Sequence, residues 1–239
     1  MKHRGRRTVF VIFLALIGMG LLFLDNPKPK NAVNIDPNVA VLGAGNVETS
    51  PAITALETLE VKGRAPKTDY RRANFGDGWE QQVGCDTRNY ILNRDLTDVK
   101  SISDTDCRVV SGVLNDPYTG KIINFIRGED TSDDVQIDHV VALSDAWQKG
   151  AQNITYEQRV LFANDGLNLL AVEGKANQNK SDSDSASWLP PNKTYRCQYV
   201  ARQIAVKQKY KLWITQAEKT AMDRVLRNCP GQKLPIVAQ

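Results

Sequence analysis

Histidine and cysteine are scarce in this sequence, and their spacing is as informative as their number. Of the 239 residues only His3 and His139 are histidines, and no two of the four cysteines form a Cys-x-x-Cys pair. A zinc centre built from clustered histidine and thiolate ligands is therefore not expected. The chain also lacks internal repeats, which excludes solenoid and propeller architectures.

The composition is nevertheless that of a folded protein. Hydrophobic residues make up 41% of the chain and charged residues 24%, so the protein can bury a core and is not expected to be disordered. Patterns typical of strands and of helices follow one another without the regular β-α-β alternation of parallel sheets. The predicted fold class is therefore α+β.

Basic residues precede a long apolar run at the N-terminus. The run covers residues 9–24 and the basic residues are Lys2, Arg4, Arg6 and Arg7, so residues 1–24 are predicted to be a signal peptide or a membrane anchor. The run is slightly short of the ~30 Å hydrocarbon core, and no clean Ala-x-Ala site follows it, so cleavage and anchoring both remain open. Either outcome predicts an extracellular or cell-surface location, with membrane contact only if the segment is retained.

Prolines and small polar residues dominate residues 25–55, which are predicted to be a flexible linker. Residues 56–239 are predicted to form the folded domain. Within it "GVLNDPYTGKIINF" predicts a β-hairpin, and "VQIDHVVAL" and "LNLLAV" predict buried strands. The run "SDSDSAS", residues 181–187, predicts a second linker.

Two pairs of residues have the spacing of helix capping boxes. Thr155 with Gln158 predicts the start of a short helix, and Thr215 with Glu218 predicts the start of the last helix. Between them, "YRCQYVARQIAVKQKY" has a helical pattern of apolar positions.

The four cysteines fit export to an oxidising compartment, because an even number without zinc-type spacing indicates disulfides. Three connectivities are possible. The local pairing closes the shortest loops and is the predicted one, with Cys85 bonded to Cys107 and Cys197 bonded to Cys229.

The net charge of +4 is unevenly distributed. Residues 192–239 carry ten lysines or arginines and two acids, whereas residues 25–191 are acidic overall. One interpretation is a basic face for a polyanion such as nucleic acid, which would include Arg202, Lys207, Lys209 and Lys211. The alternative is a solvated helix face that balances an acidic neighbour.

A set of polar residues accompanies the two predicted strands. Asp138 and His139 end the first strand, Asn168 precedes the second, and Asn177 and Lys180 stand three apart in the segment after it. This pattern resembles the HNH nucleases of the His-Me finger, or ββα-metal, superfamily, including the HNH domains of RNA-guided CRISPR effectors.

Further segments carry a more specific resemblance. They are "CDTRNYILNRDL", "DPYTGK", "QIDHVVALSDAWQKGA", "NLLAV" and "WLPPN". Together these look like exported bacterial HNH-family proteins related to the C-terminal nuclease domain of GmrSD-type restriction systems. The likeness covers roughly residues 56–225.

The resemblance implies a ββα-metal core with an added hairpin and C-terminal helices, stabilised by disulfides. It also implies a metal-dependent endonuclease that cleaves DNA or RNA and leaves 5′-phosphate and 3′-hydroxyl ends. His139 would be the general base, and Asn168 would hold the finger through a hydrogen bond to the backbone near His139. Asp138 and Asn177 would bind one divalent ion, and oxygen ligands favour Mg²⁺ or Mn²⁺.

Several assignments stay open. The third position is Asn where many members have His, which leaves one imidazole and favours a weakly held hard ion. Asn179 is an alternative to Asn177 as metal ligand. Lys180 and Arg88 are candidate substrate-binding residues, with solvation of Lys180 and a pairing of Arg88 with Asp86 as the structural alternatives.

Two other functions were weighed against the nuclease hypothesis. One is a catalytically inactive surface domain that binds nucleic acid or an anionic wall polymer. The other, a cell-wall hydrolase, fits the location but lacks the separated carboxylate pair or zinc cluster that such chemistry usually uses. The sequence indicates no protein partner.

Overall fold

The computed structural model describes residues 51–82, 84–129 and 131–235. The predicted export segment, residues 1–24, lies outside these ranges, as does most of the predicted linker. Within the described ranges, no helix combines the length and the apolar character that crossing a bilayer requires.

Within these residues the helices, in chain order, are α1 (Pro51–Glu57), α2 (Thr87–Asp95), α3 (Leu143–Trp147), α4 (Tyr156–Asn164), α5 (Gly174–Lys180), α6 (Arg196–Lys209) and α7 (Gln216–Leu226). The strands are β1 (Gln81–Gln82), β2 (Cys85–Asp86), β3 (Thr97–Ser103), β4 (Asp106–Asn115), β5 (Ile122–Ile126), β6 (Val135–His139) and β7 (Leu169–Glu173). This mixture confirms the predicted α+β class.

The folded region begins earlier than the sequence suggested. Helix α1 buries Ala52, Ala55 and Leu56 in the same apolar cluster as residues of α6 and α7. Residues 51–55 therefore belong to the fold and not to the predicted linker, because the small and apolar side chains of α1 pack against the C-terminal helices.

The strands form three small antiparallel sheets. β1 pairs with β2, β4 lies between β3 and β5, and β6 pairs with β7. The predicted hairpin is β4–β5, whose turn is closed by hydrogen bonds between the backbones of Asp116 and Lys121 and of Gly120 and Asp116. Gly120 has φ +76°, a conformation that glycine adopts without strain.

The third sheet places the candidate site. β6 and β7 pair in register from Val135 opposite Glu173 to His139 opposite Leu169, and α5 follows β7 directly. A Cβ on Gly174, the first residue of α5, would lie 1.9 Å from the Asp133 carbonyl oxygen, so the helix starts there only with glycine. Two paired strands and a helix thus occur in the predicted order.

Both predicted capping boxes are present. At the start of α4 the Thr155 side chain accepts a hydrogen bond from the Gln158 backbone N–H, and the Gln158 side-chain oxygen accepts one from the Thr155 backbone N–H. Thr215 and Glu218 do the same at the start of α7. These local hydrogen bonds satisfy N–H groups that the first helical turn leaves free.

Both predicted disulfides are confirmed. Cys85 is bonded to Cys107 and Cys197 to Cys229. The first bond joins β2 to β4, and the second joins α6 to the segment after α7.

A buried cluster of charges connects α3, α6 and α7. Lys149 and Lys207 have side chains with 0% exposure, and both contact Asp145 and Glu218. Lys149 Nζ also lies 2.8 Å from Asp184 Oδ2. The three acids are balanced by the two lysines and by Arg64, which pairs with Asp145 and Asp184, so the cluster adds little net charge to the interior.

This cluster overturns two expectations. Lys207 is buried in ion pairs and is not part of a basic outer face, while Lys209 pairs with Asp165 at 2.7 Å and the Arg202 side chain donates to the Leu169 carbonyl. Residues 181–187 are not a loose linker, because Asp184 and Ser185 are buried. The alternative interpretation, a solvated helix face that balances an acidic neighbour, describes Lys209, whereas Lys207 pairs with acids but is buried.

Candidate active site

The polar pair at the end of β6 is divided between two environments. Successive side chains on a strand point to opposite faces, so Asp138 and His139 face different neighbours. Asp138 contacts Lys180 of α5, whereas His139 contacts the end of α4 and the ring of Trp79. The two residues are adjacent in sequence but do not share partners through their side chains.

His139 is held by two contacts and is 7% exposed. Its Nε2 lies 2.9 Å from the carbonyl oxygen of Ala163. Its ring stacks on Trp79, with centroids 5.7 Å apart and an angle of 11° between the planes. The imidazole therefore has one fixed position and orientation.

The Ala163 contact also determines which nitrogen of His139 carries the proton. A carbonyl oxygen only accepts hydrogen bonds, so Nε2 is the donor and the neutral ring has its lone pair on Nδ1. Burial, with smaller contributions from the positive charges of Arg72 and Lys180, lowers the pKa of His139 to about 4 against the opposing effects of the Ala163 hydrogen bond and the Asp138 charge. At neutral pH, Nδ1 is thus an unprotonated base.

A small cavity borders this ring. It measures about 250 Å³, and its walls include Arg72, Gly78, Trp79, His139 and Ala163. Within the described part of the chain, Nδ1 of His139 has no hydrogen-bond partner, since the ring's one hydrogen bond is made by Nε2. The residue that carries this base therefore lines a space that a small group can enter.

Asn168 makes the hydrogen bond that the sequence predicted. It is fully buried, its Oδ1 accepts from the Val141 N–H at 2.9 Å, and its Nδ2 donates to the Val141 carbonyl at 3.3 Å. The backbone N–H of Val140 also donates to the Asn168 carbonyl. Asn168 therefore fixes the chain immediately after His139, and we treat it as a positioning residue that does not touch substrate.

Asp138 is engaged on both oxygen atoms. Its Oδ1 accepts from Lys180 Nζ at 2.9 Å and its Oδ2 accepts from the Tyr118 hydroxyl. Lys180 Nζ also donates to the His139 carbonyl at 2.9 Å. Burial and the neighbouring Asp138 charge raise the pKa of Tyr118 well above its usual value, so the phenol remains a hydrogen-bond donor.

These contacts do not fit the metal site that the sequence predicted. The Lys180 ammonium occupies the cation position beside Asp138, while the Asn177 side chain donates to Gln136 Oε1 at 2.9 Å. The alternative ligand, Asn179, is exposed. No group of three or more His, Cys, Asp or Glu suited to a metal occurs among the described residues.

The two predicted substrate-binding residues also lie elsewhere. Lys180 is fully buried, so it cannot reach a substrate in this arrangement, and its role is to pair with Asp138. The Arg88 side chain donates to the carbonyls of Ser132 and Val135 at 3.5 and 3.3 Å. The pairing of Arg88 with Asp86 is absent from the described contacts, because Asp86 caps α2 through Asn89.

A second cleft contains none of the predicted catalytic, metal-binding or substrate-binding residues. It measures about 1230 Å³, and Glu80 and Asn164 form part of its wall. Three tyrosines line it, Tyr90, Tyr156 and Tyr210. Its acidic side chains outnumber its basic ones, so its charge does not favour a polyanion.

Sequence patterns did not indicate every residue of the site. Trp79 and Arg72 contact or face His139 from a segment about 60 residues earlier in the chain, and nothing in their local pattern connects them with it. Tyr118 lies in "DPYTGK", one of the segments that carry the family resemblance, but no local pattern predicts its hydrogen bond to Asp138.

Comparisons with known proteins support the resemblance at the level of the family. The family described as GmrSD restriction endonucleases, C-terminal domain, matches residues 86–225, more than half of the chain. A protein of the fungus Arthroderma benhamiae, described as "Uncharacterized secreted protein", is 36% identical over 219 residues, which are 91% of this chain and 98% of the relative. No solved structure matches significantly.

These matches separate what is established from what is expected. The fungal relative gives no support to a bacterial source, and the assignment to the HNH type stays a prediction. The family match spans β2 to α7 and includes the whole of β6, β7 and α5, with His139 and Asn168. This chain belongs to the family of GmrSD restriction endonuclease C-terminal domains.

Proposed function

We propose that the protein is an exported endonuclease that hydrolyses phosphodiester bonds in DNA or RNA with His139 as the general base. The observation that carries the proposal is the setting of His139, whose ring lines a cavity and whose Nε2–H is bonded to Ala163, which leaves Nδ1 as the basic nitrogen. Membership of a restriction endonuclease family supports the reaction class.

The proposed step begins with a water molecule next to Nδ1 of His139. As the water oxygen bonds to phosphorus, its proton passes to Nδ1, and the P–O3′ bond breaks with its electron pair on O3′. That oxygen then takes a proton from solvent, which leaves 5′-phosphate and 3′-hydroxyl ends. The donor role of Nε2 is unchanged throughout, so the Ala163 carbonyl also stabilises the imidazolium.

The low pKa of His139 in the protein without substrate is compatible with its role as a general base. A general base works best when its pKa is near the working pH, and burial holds that of His139 below this range. A bound phosphodiester brings a negative charge, which raises the pKa of a neighbouring imidazole. Substrate binding is therefore expected to raise the pKa of His139 toward the working pH, which makes the imidazole a stronger base during the reaction.

Dependence on Mg²⁺ or Mn²⁺ stays a prediction from the family resemblance. A divalent ion on Asp138 would require Lys180 and Tyr118 to leave its oxygen atoms, so we derive no step through a metal. The assignment to the HNH type is also a prediction from the family resemblance, and the order β6, β7, α5 supports it.

Location outside the cell is supported by three features. The first residues have the order of an export segment, and the fungal relative is described as secreted. The disulfides Cys85–Cys107 and Cys197–Cys229 fit an oxidising compartment.

The experiment that tests the function compares the full-length chain with His139→Gln on plasmid DNA and on RNA. Gln retains an N–H donor for the Ala163 carbonyl but has no imidazole base. We expect cleavage by the unaltered protein and a loss of about 10²- to 10⁴-fold in the variant. Binding without cleavage by both proteins would instead support the inactive surface domain.

A further inference from the structure

The cavity beside His139 has one charged wall residue. Its described lining includes Arg72 and no other lysine or arginine, and it includes no aspartate or glutamate. With a neutral imidazole opposite, the cavity therefore has a net positive charge. Its volume of about 250 Å³ is below the usual range for drug-sized ligands, so it suits a small group such as a phosphate.

Arg72 is available for an external partner. It is exposed, and within the described residues its guanidinium has no hydrogen bond or ion pair. Two other cations near the site are occupied, since Lys180 pairs with Asp138 and the Arg159 side chain donates to the Asn74 carbonyl. A free arginine at the wall of a pocket is a typical anion-binding group.

The backbone that carries Arg72 is anchored. It belongs to the 3₁₀ turn Arg72–Phe75, in which Phe75 is 2% exposed and packs on Trp147 and Phe162 with ring centroids 6.3 and 5.9 Å away. The bond of Arg159 to the Asn74 carbonyl fixes the same turn from α4. The start of the arginine side chain is thus placed before any ligand binds, which reduces the entropy lost on binding.

We propose that Arg72 is the phosphate-binding residue of this site and that it holds non-bridging oxygens of the phosphodiester next to His139. The proposal rests on the proposed function for the identity of its ligand. Arginine matches phosphate oxygens with two parallel N–H donors, and its charge offsets the negative charge that grows on those oxygens during attack. Lys180 and Arg88, the candidates from sequence, do not line this cavity.

Arg72 lies outside the matched family region, residues 86–225, as does Trp79. Both come from the segment that precedes β1, and this segment forms the wall of the cavity opposite β6. The family core therefore supplies the base, and the preceding segment supplies the anion-binding group.

The chain contains a matched control for this proposal. Arg71 is adjacent, exposed and equally charged, but it does not line the cavity. Its side chain makes no hydrogen bond within the described residues, so Arg71→Gln and Arg72→Gln remove the same charge from the same surface. Arg72→Lys retains the charge but loses the two-donor geometry.

Phosphate binding is measured first, on full-length proteins at pH 7. Inorganic phosphate is titrated while the imidazole resonances of His139 are followed by NMR, which is practical because the chain has only two histidines. We expect saturable shifts in the unaltered protein and in Arg71→Gln, and a dissociation constant at least about tenfold higher in Arg72→Gln. Arg72→Lys is expected to lie between them.

Two outcomes overturn the proposal. One is an unchanged dissociation constant for phosphate in Arg72→Gln. The other is an equal increase of that constant in Arg71→Gln, which would indicate that phosphate responds only to the charge of the surface. Because this titration needs no turnover, dependence on Arg72 supports the anion site even if the nuclease function fails. With an active protein, kcat/KM is expected to fall about 10- to 100-fold in Arg72→Gln and to change less than about twofold in Arg71→Gln. Equal kcat/KM values in these two variants would contradict the role in cleavage.

Discussion

At the scale of single residues, burial controls the chemistry of His139. An exposed imidazole would titrate near pH 6.5, whereas His139 has a pKa of about 4 in the folded protein. The ring is neutral at pH 7 because of where it lies, and the Ala163 carbonyl determines which nitrogen is free. The same burial has consequences for stability.

Stability is expected to fall with acid because of His139. Between pH 6.5 and 4 the unfolded chain binds a proton that the folded chain does not, so this contribution is complete above pH 6.5 and is lost as the pH decreases toward 4. The effect is on the order of 3 kcal/mol or less. It is measured by urea unfolding in EDTA at several pH values, with His139→Gln as the control.

The difference between the two proteins isolates this group from the carboxylates that titrate in the same range. We expect the variant to have the smaller decrease in unfolding free energy. Identical pH dependence in both would mean that His139 is not buried as a neutral ring.

Asp138 and Lys180 predict weak metal binding. The Lys180 ammonium contacts one oxygen of Asp138 and the Tyr118 hydroxyl contacts the other. We therefore expect the dissociation constant for Mn²⁺ to be roughly 1 mM or higher, which is the weak end of the range for sites with oxygen ligands. In Lys180→Met the carboxylate loses its cation, so Mn²⁺ should bind more tightly. Calorimetric titration measures both affinities.

Asp138→Asn is the control for this site. Tight binding by the unaltered protein that disappears in Asp138→Asn would contradict the expectation. It would show that an ion displaces Lys180, as the metal-dependent mechanism of the resemblance requires.

At the scale of elements, the C-terminal helices are held by buried charge as well as by apolar contacts. Lys207 of α6 lies 2.8 Å from Glu218 Oε1 of α7 and 3.5 Å from Asp145 Oδ2 of α3. In the same helix, Lys209 is 49% exposed and pairs with Asp165 at 2.7 Å. The two lysines have similar partners but opposite exposure.

Lys207→Met should therefore destabilise the protein far more than Lys209→Met. Removing Lys207 leaves the buried carboxylates of Asp145 and Glu218 with one cation fewer, and breaking a buried ion pair typically costs about 3–5 kcal/mol. Loss of an exposed ion pair typically costs about 0–1 kcal/mol. Denaturant unfolding of both variants gives the comparison, and similar losses would show that Lys207 is solvated.

Local sequence patterns were sufficient for much of the fold. The capping boxes of α4 and α7 and the β4–β5 turn depend on residues within a few positions of each other, so their hydrogen bonds follow from spacing alone. The local disulfide pairing was also predictable, since short loops favour it.

The buried charges could not be predicted in this way. Lys207 has the same residue type and the same helical setting as a solvated lysine, and only the approach of α3 and α7 distinguishes it. The site shows the same limit. Asn168 was predictable from its motif, but the occupation of Asp138 by Lys180 and the stacking of Trp79 on His139 require the assembled fold.

At the scale of the whole molecule, the chain closes its C-terminal helices onto its first helix. The disulfide Cys197–Cys229 joins the start of α6 to the end of α7, and the Ala52 N–H of α1 donates to the Gln232 carbonyl at 3.0 Å. Gln203 of α6 donates to the Val140 carbonyl, immediately after β6, at 2.9 Å, so the closed helices also contact the chain next to His139.

Replacing both Cys197 and Cys229 by serine is expected to cost about 3–4 kcal/mol, because the bond closes a loop of 32 residues in the unfolded chain. The measurement is the shift in the urea midpoint under non-reducing conditions. The control is the unaltered protein after reduction, which lacks both disulfides. The stability lost in a Cys85→Ser/Cys107→Ser variant is subtracted from its loss, so that the remainder belongs to Cys197–Cys229. No shift would mean that the bond is not formed in the isolated protein.

The central claim is that His139 is the base of a phosphodiester hydrolysis. It is tested most directly by the initial rates of supercoiled plasmid nicking and of RNA cleavage. Mg²⁺ and Mn²⁺ are both supplied, so that a requirement for either ion is met. The account predicts cleavage by the full-length protein and a rate about 10²- to 10⁴-fold lower for His139→Gln. Equal rates for the two proteins, or no cleavage of either nucleic acid by the unaltered one, would contradict it.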